Sequence, residues 1–284
     1  MINYLKGLNT GILMHEQGFM AMALKIKTSH DQTHMFYLQG QELRDLMMIL
    51  QNRLVSLQTG VVNNQQEMTT SVESTNQELV NHIPVIEQQE VEQPNADYLV
   101  SSLSVSFTEH EFKLVLILKN ETLHHITISD LQIHFMMLAI ARALGNVKSD
   151  NLVALFSAGL NYSPIYDAEF NQNGTIDYSL IENEQWKLDL FSQFYLIIYG
   201  LENKDGLELK LGAVVKAHAA INEQEMNEIA RNFASKSKRL MPYCNQLAMI
   251  KSTPLAFEKY GLPSPNEALQ PLAEFHKALR MHKA

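Results

Sequence analysis

The amino-acid sequence predicts an α+β protein in which repeated antiparallel β-meanders are each covered by a helix, followed by a third sheet-helix unit and a C-terminal helical segment. Three observations support this fold class. Short apolar segments alternate with polar turns, as strands do in antiparallel meanders. These segments precede longer stretches whose apolar residues have helical spacing. The 284 residues, of which 46% are hydrophobic, are enough for two or three compact units.

Residues 1–60 are predicted to form the first meander-helix module. Its strands are expected at residues 11–15, 19–27 and 35–38. A helix then begins near Gly40, and its apolar residues recur at i, i+3, i+4, i+7 and i+11, which places them on one face. These residues are Leu43, Leu46, Met47, Leu50 and Leu54. Because a meander with one apolar face needs a cover, we expect this helix to pack on the sheet.

Residues 61–97 have the composition of an acidic polar linker that is partly helical. The segment contains seven acidic side chains and no Lys or Arg. Its apolar residues allow a helix that ends before Pro84, and residues 84–94 are then expected to be extended. An alternative interpretation is a long projecting helical hairpin that pairs with a partner subunit.

Residues 98–146 repeat the pattern of the first module. The strands are expected at residues 99–108, 112–120 and 126–128. The helix that follows opens with a capping box from Ser129 to Gln132 and ends before Gly145. Its apolar stripe lies 90 residues after the first one and consists of Ile133, Met136, Met137, Ile140 and Leu144. The match suggests an internal repeat, although amphipathic helices after strands are common enough to match without duplication.

This second helix, residues 130–144, is apolar on nearly every side. Its main polar exceptions are Gln132, His134 and Arg142. We therefore expect it to be buried between layers of the structure.

Residues 147–240 are predicted to form the third unit. Its strands are expected at residues 164–170, 174–179, 193–201 and 207–219, and short helices at residues 151–160 and 185–191. A longer helix begins at Asn222, whose side chain can cap it together with Glu225. The apolar face of this helix contains Met226, Ile229, Ala230, Phe233 and Leu240.

Residues 241–284 form a basic C-terminal segment. From residue 231 onwards the formal charge is +6, whereas the rest of the chain carries −15. This asymmetry could steer an acidic partner, although cations near a helix C-terminus also offset the helix dipole. Residues 242–265 are expected to run irregularly over the surface. A final helix at residues 266–281, interrupted by Pro271, should turn Leu272, Phe275 and Leu279 inward.

The overall charge of −9 disfavours nucleic acid as a partner, because an acidic surface repels phosphates. Cys244 is the only cysteine, so no internal disulfide can form, and the first residues lack the apolar core of a signal peptide. These features predict a cytoplasmic protein. No apolar run approaches the roughly 20 residues needed to cross a bilayer, so no membrane partner is expected.

The sequence lacks the glycine-rich motifs that bind dinucleotides or phosphates, the serine hydrolase motif, and the common zinc motifs. His30, Asp31 and His34 form a local cluster, but they fall in a predicted hairpin loop without a convincing further ligand. We therefore predict no metal site and no cofactor. His124 and His125 are expected to point to opposite faces of a strand.

One weak enzymatic candidate is a set of charged residues in the third unit. Glu208 and Lys210 lie two residues apart on a predicted strand, and Asp177 or Asp189 offers an upstream carboxylate. Metal-dependent nucleases use such a combination to hold Mg²⁺ and orient a water molecule. Alternation on an exposed strand produces the same Glu-x-Lys pattern without any chemistry.

The residues also resemble a known family. The stretches that carry the resemblance are KGLNTG (6–11), FMAMALKIK (19–27), QELRDLM (41–47), SDLQIHFMMLAIARAL (129–144), PIYD (164–167), EQWKLDLF (184–191) and GAVVKAHA (212–219). They are similar to the YjeJ-like family of uncharacterised enterobacterial proteins, over residues 1 to about 240. The resemblance implies a bacterial cytoplasmic protein and assigns no site residue. A weaker analogy, at the level of the fold, links the meander-helix pattern to whirly-type single-strand-binding proteins, and fold does not fix function.

Three functional hypotheses follow from these observations. The favoured one is a non-enzymatic binding or assembly module, which binds another protein or itself through sheet edges or through residues 61–83. The second is a single-stranded nucleic-acid-binding protein of meander-helix type. The third is a metal-dependent nuclease that uses Asp177, Glu208 and Lys210.

Overall fold

The computed structural model describes residues 3–16, 18–60, 65–147, 152, 156, 158–171, 175–203, 206–219, 221–257 and 261–283. The chain divides into two compact units, Met1–Leu160 and Asn161–Ala284. Antiparallel sheets and helices occur in both, so the predicted α+β class is confirmed. Among the helices in these ranges, none is both long and apolar enough to cross a membrane.

The first unit contains two three-stranded sheets with the orders β1-β2-β3 and β4-β5-β6. The first sheet consists of β1 (Leu5–His15), β2 (Gly18–Thr28) and β3 (Thr33–Leu38), and it is followed by α1 (Gly40–Gly60), α2 (Gln65–Asn81) and α3 (Gln88–Glu92). The second consists of β4 (Val100–Phe107), β5 (Glu111–Leu118) and β6 (Leu123–Ser129), followed by α4 (Ile133–Gly145). Both are antiparallel meanders, as predicted, although β1, β3 and β6 are longer than the sequence indicated and β4 is slightly shorter.

The turns between the second and third strands are built in the same way in the two meanders. The N–H of Thr28 donates to the carbonyl four residues ahead, and so does the N–H of Leu118, at 2.9 Å in both cases. Asp31 and Glu121 lie three residues after these donors and have positive φ angles of 58° and 65°. Each feature of the first turn thus recurs 90 residues later.

The two meanders are joined at both edges by isolated parallel bridges. Tyr4, just before β1, pairs with Thr127 of β6, and Leu99, just before β4, pairs with Tyr37 of β3. Each bridge joins the residue just before the first strand of one meander to the third strand of the other. An approximate two-fold axis therefore relates the two meanders. The outer strands of the two sheets therefore meet each other at these points.

The helical stripes predicted from spacing are confirmed as the buried faces of α1 and α4. Leu43, Leu46 and Leu50 are fully buried on α1, as are Ile133, Met136, Ile140 and Leu144 on α4. Met47, Leu54 and Met137 are half-buried. The apolar faces predicted for the two helices are thus the faces that the core covers.

Each helix also contacts the other meander. α1 packs on β2 and β3 of its own sheet and on β4 of the second. α4 packs on β1, where the hydroxyl of Thr10 donates to the carbonyl of Ala139 at 3.0 Å. The expectation that α4 is buried between layers holds for its apolar stripe, because α4 contacts β1 and α1, whereas Leu138 on another side of the helix is 40% exposed.

The segment after α1 covers the outer face of the first meander. α2 ends before Pro84, as predicted, and it lies on β1 instead of projecting away. Residues 84–94 are not a simple extended linker, because they contain α3 and precede a 3-10 turn, Ala96–Tyr98. Ile86 and Val91 pack on an outer-face cluster of Leu13, Ala21, Ala23, Met35 and Tyr37. This apolar contact explains why so polar a segment folds onto the sheet.

The second unit is a five-stranded antiparallel sheet with a helix on each face. Its elements are β7 (Tyr162–Phe170), β8 (Ile176–Leu180), α5 (Gln185–Asp189), β9 (Gln193–Asn203), β10 (Gly206–Ala217), α6 (Glu223–Lys236), β11 (Leu247–Leu255) and α7 (Pro265–Lys283). The strand order is β11-β9-β10-β7-β8. The helix expected at residues 151–160 falls largely outside the described residues.

The irregular surface path expected for residues 242–265 is wrong, because β11 lies within it. β11 pairs with β9 as an edge strand and contains Lys251 and Pro254, which weaken the strand pattern in the sequence. Proline is tolerated at a sheet edge because its missing N–H need not pair. The edge position thus explains both the strand and the failure to predict it.

The predicted capping of α6 is confirmed. The side chain of Asn222 accepts from the N–H of Glu225, whose carboxylate accepts from the N–H of Asn222. The buried residues of α6 include Ile229 and Phe233, which pack on one face of the sheet. Leu272 of α7 packs on the opposite face.

A buried ion pair ties α1 to the second meander. The Arg53 guanidinium lies 2.7 Å from the Asp130 carboxylate, and their side chains are 14% and 7% exposed. Arg53 also donates to the carbonyls of Thr108 and Glu109 in the turn after β4. One side chain thus satisfies three acceptors on the second meander.

Replacing Arg53 by Met would leave the Asp130 carboxylate buried without its cation. We expect Arg53→Met to lower the free energy of unfolding by about 3 kcal/mol, because removing one partner of a buried pair strands the other charge. Urea denaturation followed by circular dichroism measures the change. The control is Lys6→Met, which breaks the exposed pair of Lys6 and Asp31 and should cost far less, because water screens an exposed ion pair. Equal losses would contradict the role assigned to Arg53.

Candidate functional site

The structure does not bring the predicted nuclease residues together. Asp177 lies on β8, and its carboxylate accepts from Arg239 at 2.9 Å. Glu208 is exposed on β10, two strands away from β8, which is roughly 10 Å across the sheet. The side chain of Lys210 lies outside the described residues. The neighbours of Arg239 are Asp167 and Ser179, so the surroundings of Asp177 form an ion-pair network.

The local cluster of His30, Asp31 and His34 is also separated. Hydrogen bonds from Lys6 and Lys27 lower the pKa of Asp31 below its ordinary value. His34 lies on β3 and not in the hairpin loop where the sequence placed it. Within the part of the chain that the structure describes, no three His, Cys, Asp or Glu side chains are close enough to share a metal ion.

The best candidate site is a cavity of about 610 Å³ in the first unit. β2 and β3 form one wall, the segment from the end of α2 to the 3-10 turn forms the other, and β6 contributes one histidine. The residues from strands are Lys25, Lys27, Thr33, His34, Met35 and His124. Those from the covering segment are Asn81, His82, Ile83, Pro84, Val85, Glu87, Glu90 and Tyr98.

Two histidines from equivalent strands meet at this cavity. His34 of β3 and His124 of β6 are 90 residues apart, and their ring centroids are 5.0 Å apart. The His124 ring also packs edge-on against Phe36 at 5.2 Å. His125 is exposed on the other strand face, as predicted for this pair of adjacent histidines.

Burial lowers the pKa of His34 below its ordinary value. Burial likewise lowers the pKa of His124, and repulsion from His34 and His125 lowers it further. Both imidazoles are therefore neutral near pH 7. The Nε2 atom of His34 is buried and has no hydrogen-bond partner among the described residues.

The charged groups around the cavity are paired with one another. Lys25 lies 2.8 Å from Glu90, and Lys27 lies 3.2 Å from Asp31. Although burial raises the pKa of Glu90, hydrogen bonds from Lys25 and from the N–H of Glu87 lower it overall. The carbonyl of Glu90 also accepts from the hydroxyl of Tyr37 at 2.7 Å. These contacts fix α3 against the sheet.

The rim of the cavity is apolar and open to water. Ile83 is 43% exposed, Val85 67% and Tyr98 43%. The site thus combines a polar interior with exposed apolar side chains at its entrance.

The covering segment is held against β1 at a glycine. A Cβ atom at Gly7 would overlap the backbone carbonyl of His82, so the strand and the segment approach as closely as their backbones allow. The side chain of Asn9 donates to the carbonyl of Pro84 at 2.9 Å. A partial signal for this site is present in the sequence, because His34 and His124 are separated by the 90-residue offset of the two modules. The sequence did not indicate that residues 81–98 form the second wall of the cavity, because these residues fall largely in the segment interpreted as a linker.

The chain resembles known proteins along most of its length. The profile of the YjeJ-like family matches residues 1–282. The chain is also similar to a protein of Escherichia coli (strain K12) named "Uncharacterized protein YjeJ", with 27% identity over 237 residues that cover 83% of this chain and 82% of the relative. No solved structure is significantly similar. The resemblance expected from the motifs is thus confirmed, and it extends beyond residue 240.

Adding a side chain at Gly7 should displace the covering segment. We expect Gly7→Ala to increase amide hydrogen exchange across residues 82–90, because the new methyl group cannot fit beneath the carbonyl of His82. The matched control is Gly11→Ala on the same strand, where the nearest atom to a new Cβ is the Ile86 side chain at 3.7 Å. Unchanged exchange in the Gly7 variant would contradict this account of how the cavity is closed.

The two histidines should make the stability of the first unit depend on pH. Because their folded-state pKa values lie below the ordinary value of about 6.5, the unfolded chain takes up protons first as the pH falls. Their contribution to stability is complete above about pH 6.5 and is lost as the pH falls toward the lowered values. Urea denaturation between about pH 7.5 and pH 5.5 measures this loss.

The variant His124→Phe keeps an aromatic ring beside Phe36 and removes one titrating group. We expect its stability to fall less on acidification than that of the original protein. His110→Gln is the control, because the His110 side chain is 83% exposed. If the two variants show the same pH dependence, the pair at the cavity is not responsible for it.

Proposed function

This chain belongs to the YjeJ-like family, and from the geometry of its own cavity we propose that it is a non-enzymatic binding protein of the bacterial cytoplasm. Its ligand occupies the cavity beside His34 and His124. The observation that carries the proposal is the cavity itself, whose lining brings His34 and His124 together with the exposed side chains of Ile83, Val85 and Tyr98. A volume of about 610 Å³ is in the range of small-molecule sites.

The neutral imidazole suits either a donor or an acceptor on the ligand, depending on which ring nitrogen carries the proton.

The rim supports a ligand with an apolar part. Ile83, Val85 and Tyr98 are exposed at the entrance, and covering them gains about 25 cal/mol for each Å² of apolar surface removed from water. A small carboxylic acid with a hydrocarbon tail has this combination of groups. Its carboxylate would lie toward the histidines and Lys27, and its tail toward the rim.

The pairing of charges around the cavity favours binding over catalysis. Lys25 is held by Glu90, and Lys27 by Asp31, so these groups hold the walls in place. The nuclease hypothesis has less support, because Asp177 is bound by Arg239 and lies two strands from Glu208. Nucleic-acid binding is opposed by the charge of −9.

We also infer that the first unit arose from an internal repeat. The supporting features are the equal turns at Thr28 and Leu118, the two interchangeable edge bridges, and the buried helix stripes at a constant offset. A duplication of this kind would place both His34 and His124 at the cavity, because the two residues occupy the same position in the two copies. The site would then depend on both copies.

Titration with simple carboxylic acids tests the binding proposal. Hexanoate at about 10 mM, which would saturate a site with a millimolar Kd, should shift the imidazole NMR signals of His34 and His124 and leave that of His110 unchanged. Inorganic phosphate, which has no apolar part, should shift them less. Replacing His34 by Phe should abolish the hexanoate effect in the remaining His124 signal. Equal shifts at all histidines, or none, would refute the proposal.

A further inference from the structure

The formal charges in the described lining of the histidine-containing cavity cancel. Two lysines and two glutamates contribute equal numbers of positive and negative charges, and these residues are Lys25, Lys27, Glu87 and Glu90. A carboxylate that enters the cavity would therefore add one uncompensated negative charge. Because an ion without a counter-ion is costly to remove from water, the site needs a further positive charge to bind an acid.

The two lysines of the cavity are already engaged by carboxylates of the protein. The ammonium of Lys25 lies 2.8 Å from Glu90, and that of Lys27 lies 3.2 Å from Asp31. A carboxylate of the ligand would have to compete with these partners for either ammonium. The groups of the described lining that can still acquire a positive charge near neutral pH are its imidazoles.

His34 and His124 are placed to acquire this charge. Their ring centroids lie 5.0 Å apart, edge to face, on strands of the two different meanders. Burial lowers the pKa of both imidazoles, so they hold a proton weakly when no anion is near. A carboxylate beside them acts in the opposite direction, because an opposite charge favours the protonated imidazole. Since two positive charges at this distance repel each other, the pair takes up one proton and not two.

Other titratable groups surround the histidine pair on β2, on the turn after it, on the covering segment and on β6. They are Lys25, Lys27, Asp31, His82, Glu87, Glu90, Tyr98 and His125. Within the described lining, His82 is the one other imidazole, and its Nδ1 donates to the carbonyl of Glu78 at 2.8 Å. An experiment that locates the proton must therefore distinguish His82 from the pair.

We propose that the cavity binds a monocarboxylic acid together with one proton, which the pair of His34 and His124 takes up as the carboxylate enters. This inference rests on the proposed function, because it concerns the same cavity and the same class of ligand. The acid enters as its anion, the proton comes from the solvent, and the imidazolium that forms is the counter-ion of the carboxylate. The affinity for the acid therefore rises as the pH falls, until the pair is protonated without a ligand.

Isothermal titration calorimetry of the full chain with hexanoate, in two buffers of different ionisation enthalpy, counts the protons taken up on binding. We expect almost none at about pH 8 and between about half a proton and one proton at about pH 6, where hexanoate is still ionised. The Kd should fall at least about fivefold over the same range. Binding without proton uptake would overturn this inference and leave the proposed function standing. No binding of hexanoate at either pH would overturn both.

A neutral analogue separates the charge of the ligand from its shape. Hexanamide has the hydrocarbon tail of hexanoate but no charge, so it needs no counter-ion. We expect it to bind the original protein without proton uptake at about pH 8 and at about pH 6. An equal dependence on pH for the amide and the acid would overturn the proposal, because the effect would then not arise from neutralising a carboxylate.

Glutamine substitutions locate the proton, because glutamine keeps hydrogen-bonding groups and cannot be protonated in this pH range. We expect the double variant His34→Gln with His124→Gln to bind hexanoate without proton uptake and with a Kd that no longer depends on pH. The matched control is His82→Gln, which removes the other imidazole of the described lining and should leave the proton count unchanged. Proton uptake that persists in the double variant, or that His82→Gln abolishes, would refute the assignment to the pair.

Discussion

The first unit depends on the joining of its two meanders at both edges. A three-stranded sheet alone has two open edges and one apolar face, and it is too small to be stable without a cover. Here the bridges of Tyr4 with Thr127 and of Tyr37 with Leu99 connect the sheets, and each helix packs across the junction. Arg53 adds a buried ion pair from α1 to the second meander. Neither meander therefore completes its core without the other.

Once the two meanders form one core, their outer faces are free to differ. In the first meander the positions of Lys25 and Lys27 are polar, and the covering segment closes over them through Glu90, leaving a cavity. In the second meander the equivalent positions are Val115 and Ile117, and they remain at the surface. A few substitutions on one scaffold thus separate a face that the chain closes over from a face whose residues stay at the surface.

The sequence predicted those parts of the fold that depend on local patterns. Alternation located the meanders, helical spacing located the stripes of α1 and α4, and the Asn222 capping box located the start of α6. It failed where distant residues decide the structure. β11 forms because β9 offers an edge, although Pro254 weakens its pattern. The distance between Asp177 and Glu208 could not be predicted either, because strand order cannot be deduced from spacing along the chain.

The cavity shows why such a site is difficult to recognise in a sequence. Residues related by an approximate two-fold axis touch only where they lie close to that axis, and His34 and His124 meet this condition. Either histidine by itself has the pattern of an ordinary strand residue. Their contact places two desolvated imidazoles side by side, and neither needs a charged partner while both stay neutral. The site is thus a property of the paired meanders, and no single segment of the chain contains it.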